Sequence, residues 1–287
     1  MNTPFGTFSN ICRMVKIEHS IFALPYAWAG LCLASKGWPT WEQFIFLTIA
    51  MVAIRSVAMA FNRIADLPYD KVNPRTKNRP LVTGVISVRQ TTYFCIFMSF
   101  VFILACAAIN SLCLALAIPA LLIVAIYSFL KRITPLCHFW LGGSLGLAPI
   151  AGWITASPSS MTLTPLLFFF AVTFWVGAFD IYYAFQDIDF DREYGLHSAP
   201  ADFGQDAALA VAGFAHCMTA IFLFLAGIEA HLSVWWYIIC CMISIMLFIE
   251  HKLMLPKDLR NIQTAFFTLN GIISPVMLLG VLLGIFF

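Results

Sequence analysis

The sequence predicts an all-α integral membrane protein: one membrane-embedded domain over 1–287, with nine transmembrane helices and the N-terminus in the cytoplasm. Three observations predict it. Of 287 residues, 61% are hydrophobic, 28 are Phe and only 10% are charged, which excludes an ordinary soluble domain. The apolar residues fall into continuous runs of about 20, the length that crosses about 30 Å of hydrocarbon as a helix. Strands of a membrane barrel alternate and are about half as long. Finally, nine crossings from a cytoplasmic N-terminus place Arg13, Lys16, Arg63, Lys71, Arg75, Lys77, Arg79, Arg89, Lys131, Arg132, Arg192, Lys252, Lys257 and Arg260 on one side, with Lys36 alone opposite and Arg55 within a span. That asymmetry is the positive-inside pattern, so the net charge of +2 is an orientation signal and no nucleic-acid partner is expected.

The elements follow in order. The first span, Ile17–Ser35, opens on Glu18 and His19, contains Pro25 and is the weakest of the nine. Met1–Cys12 before it lacks the basic segment, apolar core and cleavage site of a signal peptide. The second, Gln43–Phe61, carries Arg55 and runs into the acidic stretch FNRIADLPYD, followed by the basic loop KVNPRTKNRPLVTG. Thr91–Ile109 and Ser111–Leu130 form the third and fourth spans, and Lys131-Arg132 close the fourth. The fifth, His138–Ala156, has Gly142 and Gly146 at a small-xxx-small step that suits close helix packing. The sixth, Met161–Phe179, leads into a second acidic stretch, DIYYAFQDIDFD. Ala207–Gly227, Leu232–Ile249 and Thr264–Phe287 complete the set. Asp66 and Asp70 recur as Asp187 and Asp191 with the same spacing, each pair after an even-numbered span, which suggests two related four-helix halves plus a ninth helix. Nine scattered cysteines without a CxxC pair read as small buried hydrophobes.

The chemistry is concentrated in the two acidic stretches, since only 14 residues of the whole chain are acidic. A carboxylate near hydrocarbon costs roughly 2.5–3.5 kcal/mol on the most lenient insertion scale, so it persists where it has a partner or a task. Two matched sets of oxygen ligands point to a polyvalent cation, and to magnesium in particular. At about 100° per residue Asp187 and Asp191 both project within about 20° of Asp180, while Asp189 lies roughly opposite Asp187. Asn62, Asp66 and Asp70 spread over about 80°, with Arg55 on the same face. Pro68 removes a backbone donor and is expected to kink or unwind the Asp70 turn. The basic loop after the first set supplies cations of the kind that fork onto a diphosphate, although on its own it is also what the positive-inside rule places there. His138, His216, His231 and His251 show no ligand spacing and read as structural.

These residues resemble the UbiA superfamily of intramembrane aromatic prenyltransferases. One family signature, N-D-x-x-D-x-x-x-D followed by R-T-x-x-R-P-L, is matched by Asn62, Asp66, Asp70, Arg75, Thr76, Arg79, Pro80 and Leu81. A second, Y-A-x-x-D-x-x-x-D followed by G-x-x-S, is matched by Tyr183, Ala184, Asp187, Asp191, Gly195 and Ser198. Between them YSFLKRITPLCHFWLG is similar to the family's Tyr-x-x-x-Lys-Arg segment and places Tyr127, Lys131 and Arg132. The resemblance covers essentially the whole chain. It implies transfer of a polyprenyl chain from polyprenyl diphosphate to an aromatic carboxylic acid at the cytoplasmic face of the inner membrane, in respiratory quinone synthesis. It puts magnesium on Asn62, Asp66, Asp70, Asp187 and Asp191, to which the shared helix face adds Asp180, with Asp66, Asp70, Asp187 and Asp191 as the catalytic core. Diphosphate falls to Arg75, Arg79, Tyr127, Lys131 and Arg132, and the acceptor to Tyr183 and to Arg55, at a family position that binds the acceptor's carboxylate or the pyrophosphate. His19, near a helix mouth, is the further acceptor candidate, its other reading being the cap of a charge.

One departure bears on the acceptor. The family's Asn-Asp pair is Asn62-Arg63 here, and FNRIAD, NPRT and GLHS are more similar to the branch of the futalosine route to menaquinone. A hydroxybenzoate-type acid is the nominal acceptor, and a dihydroxynaphthoate-type acid the rival. A cation-coupled transporter also uses intramembrane Asp residues, but near the bilayer midplane, whereas these sets lie at helix mouths beside basic residues.

Overall fold

A computed structural model describes residues 10–11, 14–15, 23–255 and 268–287. It is helical, with no strand among the described residues. The elements are α1 (Leu24–Ser35), α2 (Trp41–Ala65), the short α3 (Leu67–Asp70), α4 (Val88–Ile109), α5 (Ser111–Leu130), α6 (Cys137–Ala156), α7 (Leu163–Ala184), a 3₁₀ turn (Phe185–Asp187), α8 (Ile188–Glu193), α9 (Ala199–Asp202), α10 (Gln205–Glu229), α11 (Val234–Met254) and α12 (Asn270–Phe286). Seven helical segments, starting at Trp41, Val88, Ser111, Cys137, Leu163, Gln205 and Val234, are long and apolar enough to cross a membrane. The described parts of the first and ninth expected spans are shorter, at 12 residues for α1 and 17 for α12. Large apolar side chains such as Phe97, Phe100, Leu122, Phe214, Ile245 and Phe248 face outward. In water that would be an aggregation liability; in a bilayer it is the solvated surface.

The chain forms two compact units, one comprising 1–20 and 45–129, the other 21–44 and 130–287. This division does not follow the expected four-plus-four repeat, because α1 joins the later helices. In the first unit Ala60, Leu81 and Ile86 pack with Met14 and Val15, so the C-terminal end of the basic loop is pinned by the apolar residues Leu81 and Ile86. Ser87 starts α4 with a reciprocal capping box: its hydroxyl accepts from the Gln90 N–H at 3.2 Å and its own N–H donates to Gln90 Oε1 at 2.9 Å. Asn110 is extended between α4 and α5, and its Oδ1 accepts from the Cys113 N–H at 2.8 Å.

The second unit is built on glycine contacts. A Cβ on Gly30 would meet the Pro149 carbonyl, and one on Gly152 the Ala27 carbonyl, so α1 and α6 touch backbone to backbone. Gly142 and Gly146 do the same for α6 against Thr173 and Phe169 of α7, as their spacing predicts. A polar clamp closes the unit's interior: Trp175 Nε1 donates to Asn270 Oδ1 at 2.6 Å, and Asn270 Nδ2 donates to Glu250 Oε1 at 2.8 Å. The Tyr182 hydroxyl and His251 Nδ1 are 2.7 Å apart, and His216 lies beside Glu250, consistent with the structural reading of both histidines. No disulfide joins the eight described cysteines; Cys217 and Cys241 are exposed rather than buried.

Candidate active site

The first acidic set forms where α2 stops. The helix ends at Ala65, Asp66 sits at φ −88°, ψ 0°, and a new short helix starts with Pro68 in its first turn, which is the interruption that proline predicts. Asn62 Nδ2 donates to Asp66 Oδ2 at 2.8 Å, and Arg63 Nη1 donates to Asn62 Oδ1 at 3.2 Å. Arg63, which stands where the family pattern has an acid, is thus drawn into the set. Arg79 folds back from the loop and places Nη1 at 2.7 and 2.6 Å from the two oxygens of Asp70. Thr76 donates to the Asp70 carbonyl at 3.2 Å, and Asn73 Oδ1 accepts the Arg75 N–H at 2.8 Å. Asn73 and Thr76 are buried, so side-chain bonds within the loop hold Arg79 over Asp70. Arg75 is exposed on that loop, Arg55 is half-buried two turns before Asn62, and Tyr127 is half-buried near the end of α5.

The second set forms where α7 stops. The 3₁₀ turn breaks the regular helix between Asp180 and Asp187, a correction to the continuous face expected from a 100° step. Phe185 and Ile188 enter an apolar core with Tyr182, Ala199, Leu209 and Met254 and anchor the turn on both sides of Asp187. Asp187 and Asp191 are buried, and Asp189 is exposed, as its phase predicts. Lys131 Nζ lies 2.8 Å from Asp191 Oδ1, and Ser198 Oγ donates to Asp191 Oδ2 at 2.8 Å. Burial works against the Lys131 ammonium, but Asp191, the bond to it, and the charges of Asp187 and Asp180 outweigh burial and hold its pKa above the usual lysine value. All three carboxylates therefore act on this one lysine. Asp180 Oδ2 lies 2.7 Å from His138 Nδ1, so His138 is a neighbour of the acidic set as well as a core residue. Sequence spacing missed it. Tyr183, between Asp180 and Asp187 in sequence, and Arg132, next to Lys131, are half-buried, and His19 lies outside the described residues.

Among the described residues no three His, Cys, Asp or Glu side chains converge tightly enough to cage a metal unaided. Magnesium does not need such a cage: it is commonly held by one or two carboxylates together with water and substrate phosphates. The donors present are all hard oxygens, Asn62, Asp66 and Asp70 in one unit and Asp180, Asp187 and Asp191 in the other, with Arg79 and Lys131 in contact with them. Each set taken by itself fits magnesium that also takes water and phosphate oxygens.

The fold and the two sites define the class: an all-helical, multi-pass membrane protein with two oxygen-rich acidic sets, each beside its own cation. The UbiA prenyltransferase family model matches residues 23–272, and the chain belongs to that family. It is 30% identical over 234 residues to a 4-hydroxybenzoate octaprenyltransferase of Marinobacter nauticus, covering 80% of this chain and 79% of that protein. Among solved structures, the apo form of a UbiA homolog from Aeropyrum pernix K1 superposes with a TM-score of 0.85 at 32% identity, over 92% of this chain and 97% of that one. A UbiA homolog from Archaeoglobus fulgidus bound to GPP and Mg2+ shares the fold, with a TM-score of 0.73 at 20% identity over 95% and 99% of the two chains. The protein is a prenyltransferase.

Proposed function

We propose that the protein transfers a polyprenyl chain from polyprenyl diphosphate to the ring of 4-hydroxybenzoate or a closely similar aromatic acid, in respiratory quinone synthesis at the cytoplasmic face of the inner membrane. The observation that carries this reading is that each acidic set already has its own cation: Asp70 has Arg79, and Asp191 has Lys131. A magnesium diphosphate can exchange with these pairs, carboxylates turning to the metal and basic side chains to phosphate oxygens, so that no charge is left unpaired near hydrocarbon. The relative's 4-hydroxybenzoate octaprenyltransferase name supports the benzoate acceptor over the naphthoate rival.

In this reading Asn62, Asp66, Asp70, Asp180, Asp187 and Asp191 hold magnesium, which neutralises the diphosphate and stabilises it as a leaving group. Arg75, Arg79, Tyr127, Lys131 and Arg132 bind phosphate oxygens and steady the charge that gathers there as the allylic C–O bond breaks. The electron pair of that bond leaves with the diphosphate. Ring electrons of the acceptor form the new C–C bond to the allylic carbon, and loss of a ring proton restores aromaticity. Arg55 pairs with the acceptor's carboxylate, assisted by His19 and Tyr183, and apolar walls keep water from the allylic cation. Nine crossings with a cytoplasmic N-terminus put both acidic sets at cytoplasmic helix mouths, a topology supported by the asymmetry of Lys and Arg.

Purified protein in detergent, supplied with one prenyl diphosphate and a panel of hydroxybenzoate and naphthoate acids, tests the reading. Prenylated hydroxybenzoate is the expected product. Products from the naphthoate acids alone would transfer the assignment to the menaquinone branch.

A further inference from the structure

We propose that His138 is a positioning residue of the second acidic set, one that ties one edge of the Asp180 carboxylate so that the other edge is presented to a divalent cation. The proposal rests on the prenyltransferase reading above, in which Asp180 is one of the cation's ligands. His138 comes from α6, is only 2% exposed, and makes two hydrogen bonds. Its Nδ1 lies 2.7 Å from Asp180 Oδ2, and its Nε2 accepts the Ala199 N–H at 3.1 Å. A backbone N–H can only donate, so Nε2 must offer its lone pair. The ring proton therefore sits on Nδ1 and is donated to Asp180. This is the one hydrogen bond of the Asp180 side chain among the described residues, so Oδ1 is left to a ligand.

Two further features make the arrangement a frame rather than a chance contact. Gly142 and Gly146 bring α6 against Thr173 and Phe169 of α7 in an antiparallel register, and His138, one turn before Gly142, falls beside the Gly177–Asp180 turn. Phe139 packs on Gly177, where a Cβ would come within 2.7 Å of the ring, and this fixes the same register from the next residue. On the other side, three consecutive residues bind three parts of the set. The His197 N–H donates to the Lys131 carbonyl at 2.6 Å, Ser198 Oγ donates to Asp191 at 2.8 Å, and the Ala199 N–H holds His138. The 197–199 strap thereby sets Lys131, Asp191 and, through His138, Asp180 in one array. Groups that orient a metal's ligands are typically worth 10–100-fold in metal affinity.

The test is Mn2+ binding by the full-length protein in detergent, read by electron paramagnetic resonance with a non-ionising prenyl thiolodiphosphate present. His138→Met removes both bonds at similar volume and should weaken Mn2+ binding about tenfold or more. His138→Gln, which carries one donor and one acceptor, should stay within about threefold of wild type. Asp180→Asn should be as weak as His138→Met, and the double variant no more than about twofold weaker than either, because both act on one ligand. Ala199→Pro deletes the N–H that His138 accepts and sets the proline Cδ in its place, so the imidazole is both unpaired and displaced. Proline is tolerated at a first helical position, and Ser198 before it is extended at φ −140°, ψ 155°, so this variant carries the test if His138→Met does not fold. It should lose at least about threefold in affinity, as expected for loss of an orienting bond. Wild-type affinity in both His138→Met and Ala199→Pro, with Asp180→Asn impaired, would overturn the role of His138 and leave the prenyltransferase reading standing. Equal losses in His138→Gln and His138→Met would overturn it too, in favour of shape alone. Wild-type protein that binds no Mn2+ beside the analogue would overturn both.

Discussion

Lys131→Met isolates the energetics of the second acidic set. Lys131 Nζ is 2.8 Å from Asp191 Oδ1, with the lysine side chain 35% exposed and the aspartate fully buried. Removing one partner of a buried pair costs about 3–5 kcal/mol, because the other charge is left uncompensated. Solvent at the lysine end screens part of this, and the Ser198 hydroxyl still donates to Asp191, so a loss of about 2 kcal/mol is expected. At about 2–4 °C per kcal/mol for a chain somewhat smaller than this one, the apparent melting midpoint should fall by roughly 4–8 °C. In an Asp191→Asn background the carboxylate is gone, and the same substitution should cost less than about 1 kcal/mol. The assay is thermal unfolding followed by intrinsic fluorescence in one detergent at one scan rate, since unfolding of such proteins is commonly irreversible. Equal midpoints for Lys131→Met and wild type, or an equal drop in both backgrounds, would refute the argument that Lys131 compensates a buried Asp191.

Three further outcomes are expected. Asp189→Asn should retain transfer within about threefold of wild type, measured as prenylated product per minute, because the side chain is exposed and turned away from Asp187 and Asp191. Cysteine-accessibility labelling of intact cells and inverted vesicles should find the Lys71–Arg89 and Arg192–Asp206 loops on the cytoplasmic side and Asn110 and Ser159 on the other; labelling of the two Asp-bearing loops from opposite faces would restore the transporter reading. Arg55→Ala should raise KM for the aromatic acid about tenfold or more while leaving KM for the prenyl diphosphate within about twofold, and wild type should lose affinity for a neutral analogue lacking the carboxylate, with little further loss in Arg55→Ala.

The helical membrane class was legible because it depends on composition and run length alone, and the apolar runs coincide with described helices to within a few residues at most ends. The two acidic sets were legible for a similar reason: carboxylates are so scarce in this chain that their spacing stands out. Pro68 signalled the end of α2 through its missing N–H, and Gly142 with Gly146 signalled the α6–α7 contact through its missing side chains. The 3₁₀ turn between Asp180 and Asp187 was not legible, because Phe185 and Ile188 are pulled into a core that α7 shares with residues of α9, α10 and α11 distant in sequence. His138 was read as structural because its partners lie 42 and 61 residues away and are met only through antiparallel packing. The grouping of α1 with the later helices was likewise invisible, since backbone contact at Gly30 and Gly152 leaves no periodic trace. Arg63 broke the family's acidic pattern in sequence, yet its guanidinium donates to Asn62 and so joins the set it interrupts.

The central claim is that two acidic sets act with a divalent cation on one prenyl diphosphate. It is tested most directly by measuring diphosphate release and prenylated 4-hydroxybenzoate together, with and without EDTA, in wild type, Asp66→Ala and Asp187→Ala. The account predicts equal amounts of the two products from wild type, none from either variant although both remain folded and membrane-inserted, and none in EDTA until magnesium is restored. Transfer that persists in EDTA, or that survives in either variant at the wild-type rate, would contradict it.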